Sequence, residues 1–175
     1  ELRLILRNSG IPTIYVTHDQ EEAFSISDRL ILLNEGEIVQ TGSPDEIHSH
    51  PISPWVANFL GLGNLVPGEV ISISPFRVRT PIGNFEGLPP ENKSGLKIGC
   101  DVILLFRPDG VSLTQIEGGD NHLSGVVEDT FFRGDGYGVN LRCVNGYLFL
   151  LNAKQAIPVG EKVKLYITLQ SIQSF

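Results

Sequence analysis

Methionine is absent from the 175 residues, cysteine occurs twice, tryptophan once, and no run of eighteen apolar residues is present. Each lack removes a class of protein. A membrane-crossing helix needs about 20 consecutive apolar residues, so none is expected, and no basic-then-apolar leader opens the chain. Cys100 and Cys143 form no CxxC pair and have no neighbouring histidine. They are expected to be two reduced structural thiols in a reducing compartment. His48, His50 and His122 show no ligand spacing with carboxylates or cysteines, so no metal site is expected. Positive charge is scarce as well. Thirteen Lys and Arg stand against twenty Asp and Glu, a net charge of −7. Residues 1–60 carry 3 basic and 9 acidic side chains, and residues 61–175 carry 10 and 11. Neither part offers a basic face, which argues against nucleic acid as a partner. Finally, no Gly-x-x-x-x-Gly-Lys-Ser/Thr loop occurs, so the backbone cradle and lysine that hold nucleotide phosphates are missing.

What is present begins with Thr13–Val16, a short β-branched apolar run of the kind buried on both faces of a parallel sheet. Ligands in open α/β sheets lie beyond the carboxyl ends of the strands, so Thr17, His18 and Asp19 are expected to project into a crevice. Asp19 followed by Glu22 also fits an N-cap and N3 pair opening a helix over Gln20–Ile26. A ligand contact and a helix start thus compete for one tripeptide. Leu30–Leu33 and Ile38–Gly42 flank Asn34-Glu35-Gly36-Glu37 and read as a β-hairpin. Ser43-Pro44-Asp45-Glu46 predicts a capping box with proline at the first helical position. Ser53-Pro54 opens a second short helix with Trp55, Val56, Phe59 and Leu60 on one face. A helix is also expected over Leu2–Asn8, with Leu2, Ile5 and Leu6 on one side.

Thr17-His18-Asp19, Glu22-Ala23, Asp28-Arg29, the Gly-turn hairpin and Gly42-Ser43-Pro44-Asp45-Glu46-Ile47 follow one another in a fixed order and spacing. In this, residues 1–61 resemble the end of the nucleotide-binding domain of ATP-binding-cassette (ABC) transporters. The resemblance implies that His18 is the family's switch histidine, whose imidazole contacts the γ-phosphate of ATP across a dimer interface. It also implies ATP and Mg²⁺ as cofactors of a parent protein. The family's signature motif, Mg²⁺-linked Asp and catalytic Glu are absent together with the phosphate loop. In the family all of them precede the switch histidine. Beginning at Glu1 without a Met, the chain is expected to be a C-terminal fragment that holds no cofactor and neither binds nor hydrolyses ATP by itself.

At residues 61–67 the texture changes to short β runs punctuated by Gly, Pro and Asn. Strands are expected over Gly68–Ile73, Phe76–Thr80, Val102–Arg107, Val111–Thr114, Ser124–Phe132, Tyr137–Cys143, Tyr147–Leu151 and Lys162–Leu169, a spacing that indicates an all-β barrel or pair of barrels. A faint repeat runs through them. Ile98-Gly99-x-x-Val102-x-Leu104-x-Phe106 recurs as Val159-Gly160-x-x-Val163-x-Leu165-x-Ile167, Val111 is answered by Ile172, and Val66-x-Gly68-x-Val70 is echoed by Leu123-x-Gly125-x-Val127. Chance likeness of period-two strands and a duplicated half-barrel both account for it. Ser53-Pro54-Trp55-Val56-Ala57-Asn58-Phe59-Leu60-Gly61 and Arg107-Pro108-Asp109 resemble the link and middle of the transport-associated oligonucleotide-binding-like (TOBE) domain that follows the nucleotide-binding domain in one importer class. The expected fold is therefore an α/β remnant of a P-loop nucleotide-binding domain over 1–61, then an all-β OB-like (TOBE) barrel region over 62–175.

Arg107-Pro108-Asp109-Gly110 reads as a turn in which proline fixes φ and glycine supplies a positive φ. Arg107 is also a regulatory candidate by resemblance. Arg133-Gly134-Asp135-Gly136-Tyr137-Gly138 is a hairpin loop able to approach a ligand, which makes Arg133 a second candidate. The resemblance implies a homodimer, transmembrane permease subunits and an external solute-binding protein as partners, on the cytoplasmic face of a bacterial membrane. Iron, polyamine, sugar or sulfate-type solutes fit it, with a lean to ferric iron. The alternative is a stand-alone module in which residues 62–175 hold a small oxyanion or a partner protein. Because Thr13–Val16 and the first helix would lack their sheet in a fragment, they are expected to pack against a second copy of the chain.

Overall fold

A computed structural model describes residues 2–90, 95–115 and 121–175. The chain divides into two compact units, Glu1–Gly61 and Leu62–Phe175.

Unit 1 runs α1 (Leu2–Ser9), α2 (Gln20–Ile26), β1 (Leu30–Asn34), β2 (Glu37–Gly42), α3 (Pro44–Ser49) and α4 (Pro54–Phe59). Its helices start where side chains satisfy free backbone N–H groups. Asp19 accepts the Glu22 N–H at 2.9 Å, and Ser53 accepts the Val56 N–H at 3.3 Å. Ser43 and Glu46 cap each other in a complete capping box. The β1–β2 hairpin closes through Glu35 and Gly36, both at positive φ (51° and 85°), the backbone a two-residue hairpin turn requires. Leu30 and Leu32 point inward from β1 and meet Ile47 and Val56 in a small core.

The strand expected at Thr13–Val16 is not there. These residues form no ladder; Ile14 is 96% and Val16 87% exposed. A strand exists only through backbone partners, and among the described residues β1 and β2 pair solely with each other, antiparallel. The parallel α/β layering expected for residues 1–61 is accordingly not seen. Helix α1 forms, with Leu2, Leu4 and Ile5 exposed.

Unit 2 contains β3 (Asn64–Ile73), β4 (Phe76–Thr80), β5 (Gly83–Glu86), β6 (Asp101–Phe106), β7 (Val111–Ser112), β8 (His122–Phe132), β9 (Tyr137–Cys143), β10 (Leu148–Ala153), β11 (Lys162–Ile167) and β12 (Ile172–Ser174). They form two five-stranded antiparallel sheets ordered β12-β6-β3-β4-β5 and β10-β9-β8-β11-β7. β5 and β12 lie outside the expected strands. β5 is four residues with one inward apolar side chain, Phe85, and β12 is three residues following a 3-10 turn at Leu169–Ser171, so neither carries a readable alternation.

The repeat is structural. Val66 stands opposite Leu104 and Gly68 opposite Val102 in the first sheet; Leu123 stands opposite Leu165 and Gly125 opposite Val163 in the second. Each sheet has a bulge at the matching place, between Val70 and Ser72 and between Val127 and Asp129. The halves exchange their last strands. β7 follows β6 in sequence but pairs with β11, and β12 follows β11 but pairs with β6. Two repeat-equivalent asparagines complete the exchange. Asn64 donates to the Leu150 carbonyl (2.7 Å) and accepts its N–H (2.8 Å), and Asn121 does the same with Glu86 (2.6 and 2.7 Å). Both thereby satisfy backbone groups on an edge strand of the other half. One continuous core fills unit 2, with Phe85, Phe106 and Phe149 stacked edge to face at its centre.

Candidate functional sites

His18 lies exposed in the bend that leads into α2. Its neighbours are tied down locally. The Thr17 hydroxyl accepts the Asp19 N–H at 3.0 Å, Asp19 caps α2, and Gln20 reaches the Phe59 carbonyl at 2.6 Å, fixing the start of α2 to the end of α4. Glu22 beside Tyr15 raises that phenol. Asp19 is the cap of α2, and His18 precedes it outside the helix, exposed.

Arg107 precedes the 3-10 turn Pro108–Gly110. Burial lowers its guanidinium, and Asp109 pulls it back up. The reason for Gly110 differs from the one expected. Its φ is not positive. A Cβ there would collide with the Ser171 side chain, because residues 107–110 and 168–171 occupy equivalent places in the two halves and cross at their junction. Backbone bonds tie them reciprocally, the Arg107 N–H to the Ser171 carbonyl (2.9 Å) and the Thr168 N–H to the Gly110 carbonyl (3.0 Å). Ser171 donates to the Thr168 carbonyl at 2.7 Å.

Arg133 sits in the β8–β9 hairpin, where its N–H donates to the Gly136 carbonyl at 2.8 Å. Its guanidinium lies 5.6 Å from the centre of the Phe131 ring and donates to Asn152 at 3.2 Å. Phe131 covers Gly138 so closely that a Cβ there would strike the ring. Phe132, largely exposed, meets Tyr137 edge to face. The structure thus holds Arg107 and Arg133 in different parts of unit 2, one at the junction of the halves and one in a hairpin loop.

A further feature went unread in the sequence. Ser124, Val126, Arg142, Val144, Lys162 and Lys164 line an open depression of about 530 Å³ on β8, β9 and β11. Arg142 is paired with Glu128, and the Lys164 ammonium lies 5.2 Å from the centre of the Tyr166 ring. Lys162-x-Lys164 carried the signal, since a period of two puts both on one face of a strand. Cys100 and Cys143 are both free, and burial pushes the Cys143 thiol up to about 11.

The TOBE domain family matches residues 104–175. The chain is 34% identical over 172 residues to the spermidine/putrescine import ATP-binding protein PotA of Borrelia garinii subsp. bavariensis, covering 95% of this chain and 46% of that protein. It is 35% identical over 168 residues to PotA of Borreliella afzelii, again covering 95% and 46%. The chain therefore spans about half the length of the curated relatives it matches. Among solved structures, the cytoplasmic molybdate-binding protein ModG aligns with a TM-score of 0.54 at 14% identity, over 63% of this chain and 94% of its own; that likeness shows the fold alone. Residues 104–175 complete the two exchanged sheets of unit 2, so the matched domain and the repeat describe one fold. With a TOBE domain match over residues 104–175 and 34–35% identity along 95% of its length, the chain is similar to the TOBE-bearing part of ABC importer ATP-binding subunits.

Proposed function

We propose that this chain is the part of an importer's ATP-binding subunit in which residues 1–61 end an α/β nucleotide-binding domain and residues 62–175 regulate it. The observation that carries the reading is the ordered series from Thr17-His18-Asp19 to Ile47, within a stretch 34% identical to an import ATP-binding protein. In this reading the exposed Ile14 and Val16 belong inside a sheet whose other strands come from the additional length seen in the relatives. His18 is the switch histidine. It brings its imidazole to the γ-phosphate of ATP, while the Mg²⁺ and phosphate-loop contacts come from that additional length. Phosphoryl transfer is catalysed by positioning and by charge placed where charge develops, which is what such a group supplies. The working assembly is a homodimer on the cytoplasmic face of the membrane, joined to permease subunits and served by an external solute-binding protein. The relatives' names favour a polyamine over ferric iron as the solute. Arg107 and Arg133 are regulatory candidates. Stand-alone oxyanion binding is less favoured: among the described residues no buried side-chain nitrogen or oxygen lacks a hydrogen-bond partner, so no unpaired buried side chain marks an anion site.

In a full-length protein that includes the phosphate loop, His18→Ala should lower ATP turnover by about a hundredfold or more, with ATP affinity nearly kept. Turnover at the wild-type rate would remove His18 from the reaction.

A further inference from the structure

The two halves of unit 2 differ at one edge. In the first half, β12 runs on beyond Ser174, and Ile103 and Phe175 exchange two backbone hydrogen bonds (3.2 and 3.0 Å). In the second half the equivalent residues are Lys164 and Thr114, and this pair is not made. β7 stops at Ser112, and the Thr114 N–H turns back to the Ser112 hydroxyl at 3.1 Å. The direction of the free groups follows from the bonds around them. The Ile167 N–H donates to the Asn121 carbonyl on the β8 side, and the Thr168 N–H donates to the Gly110 carbonyl on the β7 side. Alternation along β11 then points the N–H and C=O of Lys162 and Lys164 away from β8, and among the described residues nothing receives them.

We propose that the Lys162–Lys164 edge of β11 binds an extended acidic segment of a partner protein, which adds as a strand and sets alternate carboxylates against Lys162 and Lys164. Open strand edges are templates for strand addition, with the main chain supplying affinity and alternate side chains supplying choice. Charge decides which strand. Lysines on an edge keep apolar and basic strands away, and they leave an acidic strand as the compatible guest. At the same face of the first half, the residues equivalent to Val126, Lys162 and Lys164 are Glu69, Asp101 and Ile103, while Arg79 answers Arg142, so the pair of lysines along the edge that no described residue covers has no counterpart there. The inference rests on unit 2 alone and stands whether or not the chain serves an ATPase.

The test is fluorescence anisotropy of the chain with a labelled hexapeptide of alternating Glu and Val. Three companions complete it: a Lys-for-Glu version, a version N-methylated at the backbone nitrogens that face the edge, and the Lys164→Pro protein. Proline at 164 removes an N–H that points to the edge and leaves the β8 ladder intact. Saturable binding of the acidic peptide is expected, weakened by salt. N-methylation and Lys164→Pro should each weaken it by about tenfold, the loss of an edge hydrogen bond. The lysine peptide should not compete. No binding of the acidic peptide, or equal binding of its N-methylated form, would overturn the proposal. So would concentration-dependent dimerisation of the chain that Lys164→Pro abolishes, since a second copy would then be the occupant.

Discussion

Unit 1 and unit 2 are built from equally clear local signals and end with very different interiors. Unit 1 has three capped helices and a tight hairpin, yet its core consists of Leu30, Leu32, Ile47 and Val56, and its apolar residues from Leu4 to Val16 lie largely in solvent. Unit 2 has few caps and long connections, yet among its described residues it buries one core of twenty. Caps and turns decide where elements start and stop. Each is worth about 1 kcal/mol, whereas burial scales with apolar area, so stability follows the core.

The comparison breaks most sharply if the units are separated. Residues 62–175 alone should unfold in one cooperative thermal transition, and residues 1–61 alone should show none by near-ultraviolet circular dichroism, because sixty residues with so small a core bury too little surface. In the whole chain, the exposed stretch Leu4–Val16 should drive self-association, read by sedimentation as a dimer burying at least about 1,000 Å². A strictly monomeric chain whose residues 1–61 resist protease would show that unit 1 is self-sufficient.

Within unit 2 the next largest effect lies where the halves cross. Gly110 and Ser171 are repeat-equivalent and adjoining, so only one of them has room for a side chain. Gly110→Ala should cost about 3 kcal/mol by overpacking, as measured by urea denaturation. Ser171→Gly should relieve most of that cost in the double variant, and the exchanged pair Gly110→Ser/Ser171→Gly should approach wild-type stability. An unrelieved double variant would mean that something other than this contact holds the position.

Legibility in the sequence followed the range of the interaction. Asp19, Ser43-Glu46 and Ser53-Pro54 act within three or four residues, and each did in the structure what its spacing implied. The repeat from Val66 to Ile172 was visible because period-two burial writes itself into both copies. Its exchange was not, since nothing in Val111 or Ile172 tells which half each completes. Asn64 and Asn121 were equally silent, their partners lying 86 and 35 residues away. Pro67 sits within β3, where it has no N–H to give to a ladder. It is accommodated because Ile103 opposite turns its backbone toward Phe175, and β4 begins pairing only at Glu69, so the missing N–H faces no partner. Thr13–Val16 shows the converse: a run with strong strand preference stays without a ladder where the described chain offers no strand beside it. Of the candidate site, the position of His18 beside a cap was readable, and so was the period-two pair Lys162 and Lys164; that no described residue pairs beside them was not, because it depends on contacts distant in sequence.

The smallest effect separates the two halves by pH. Cys143 on β9 is buried, and its thiol lies at about 11 against an ordinary 9.0; the matching place in the first half is Thr80, which does not titrate. Because the folded state raises this group, its contribution is fully present below pH 9 and is lost as pH rises toward 11, where the unfolded chain has already released the proton and the folded one resists doing so. A gap of about 2 pH units corresponds to at most about 3 kcal/mol. Urea denaturation of wild type and Cys143→Ala at pH 8 and pH 10.5 checks it. The difference between the two proteins should shrink at the higher pH. A constant difference would mean that the thiolate is accommodated in the core as easily as in water, and the second half would then be no more sensitive to alkali than the first.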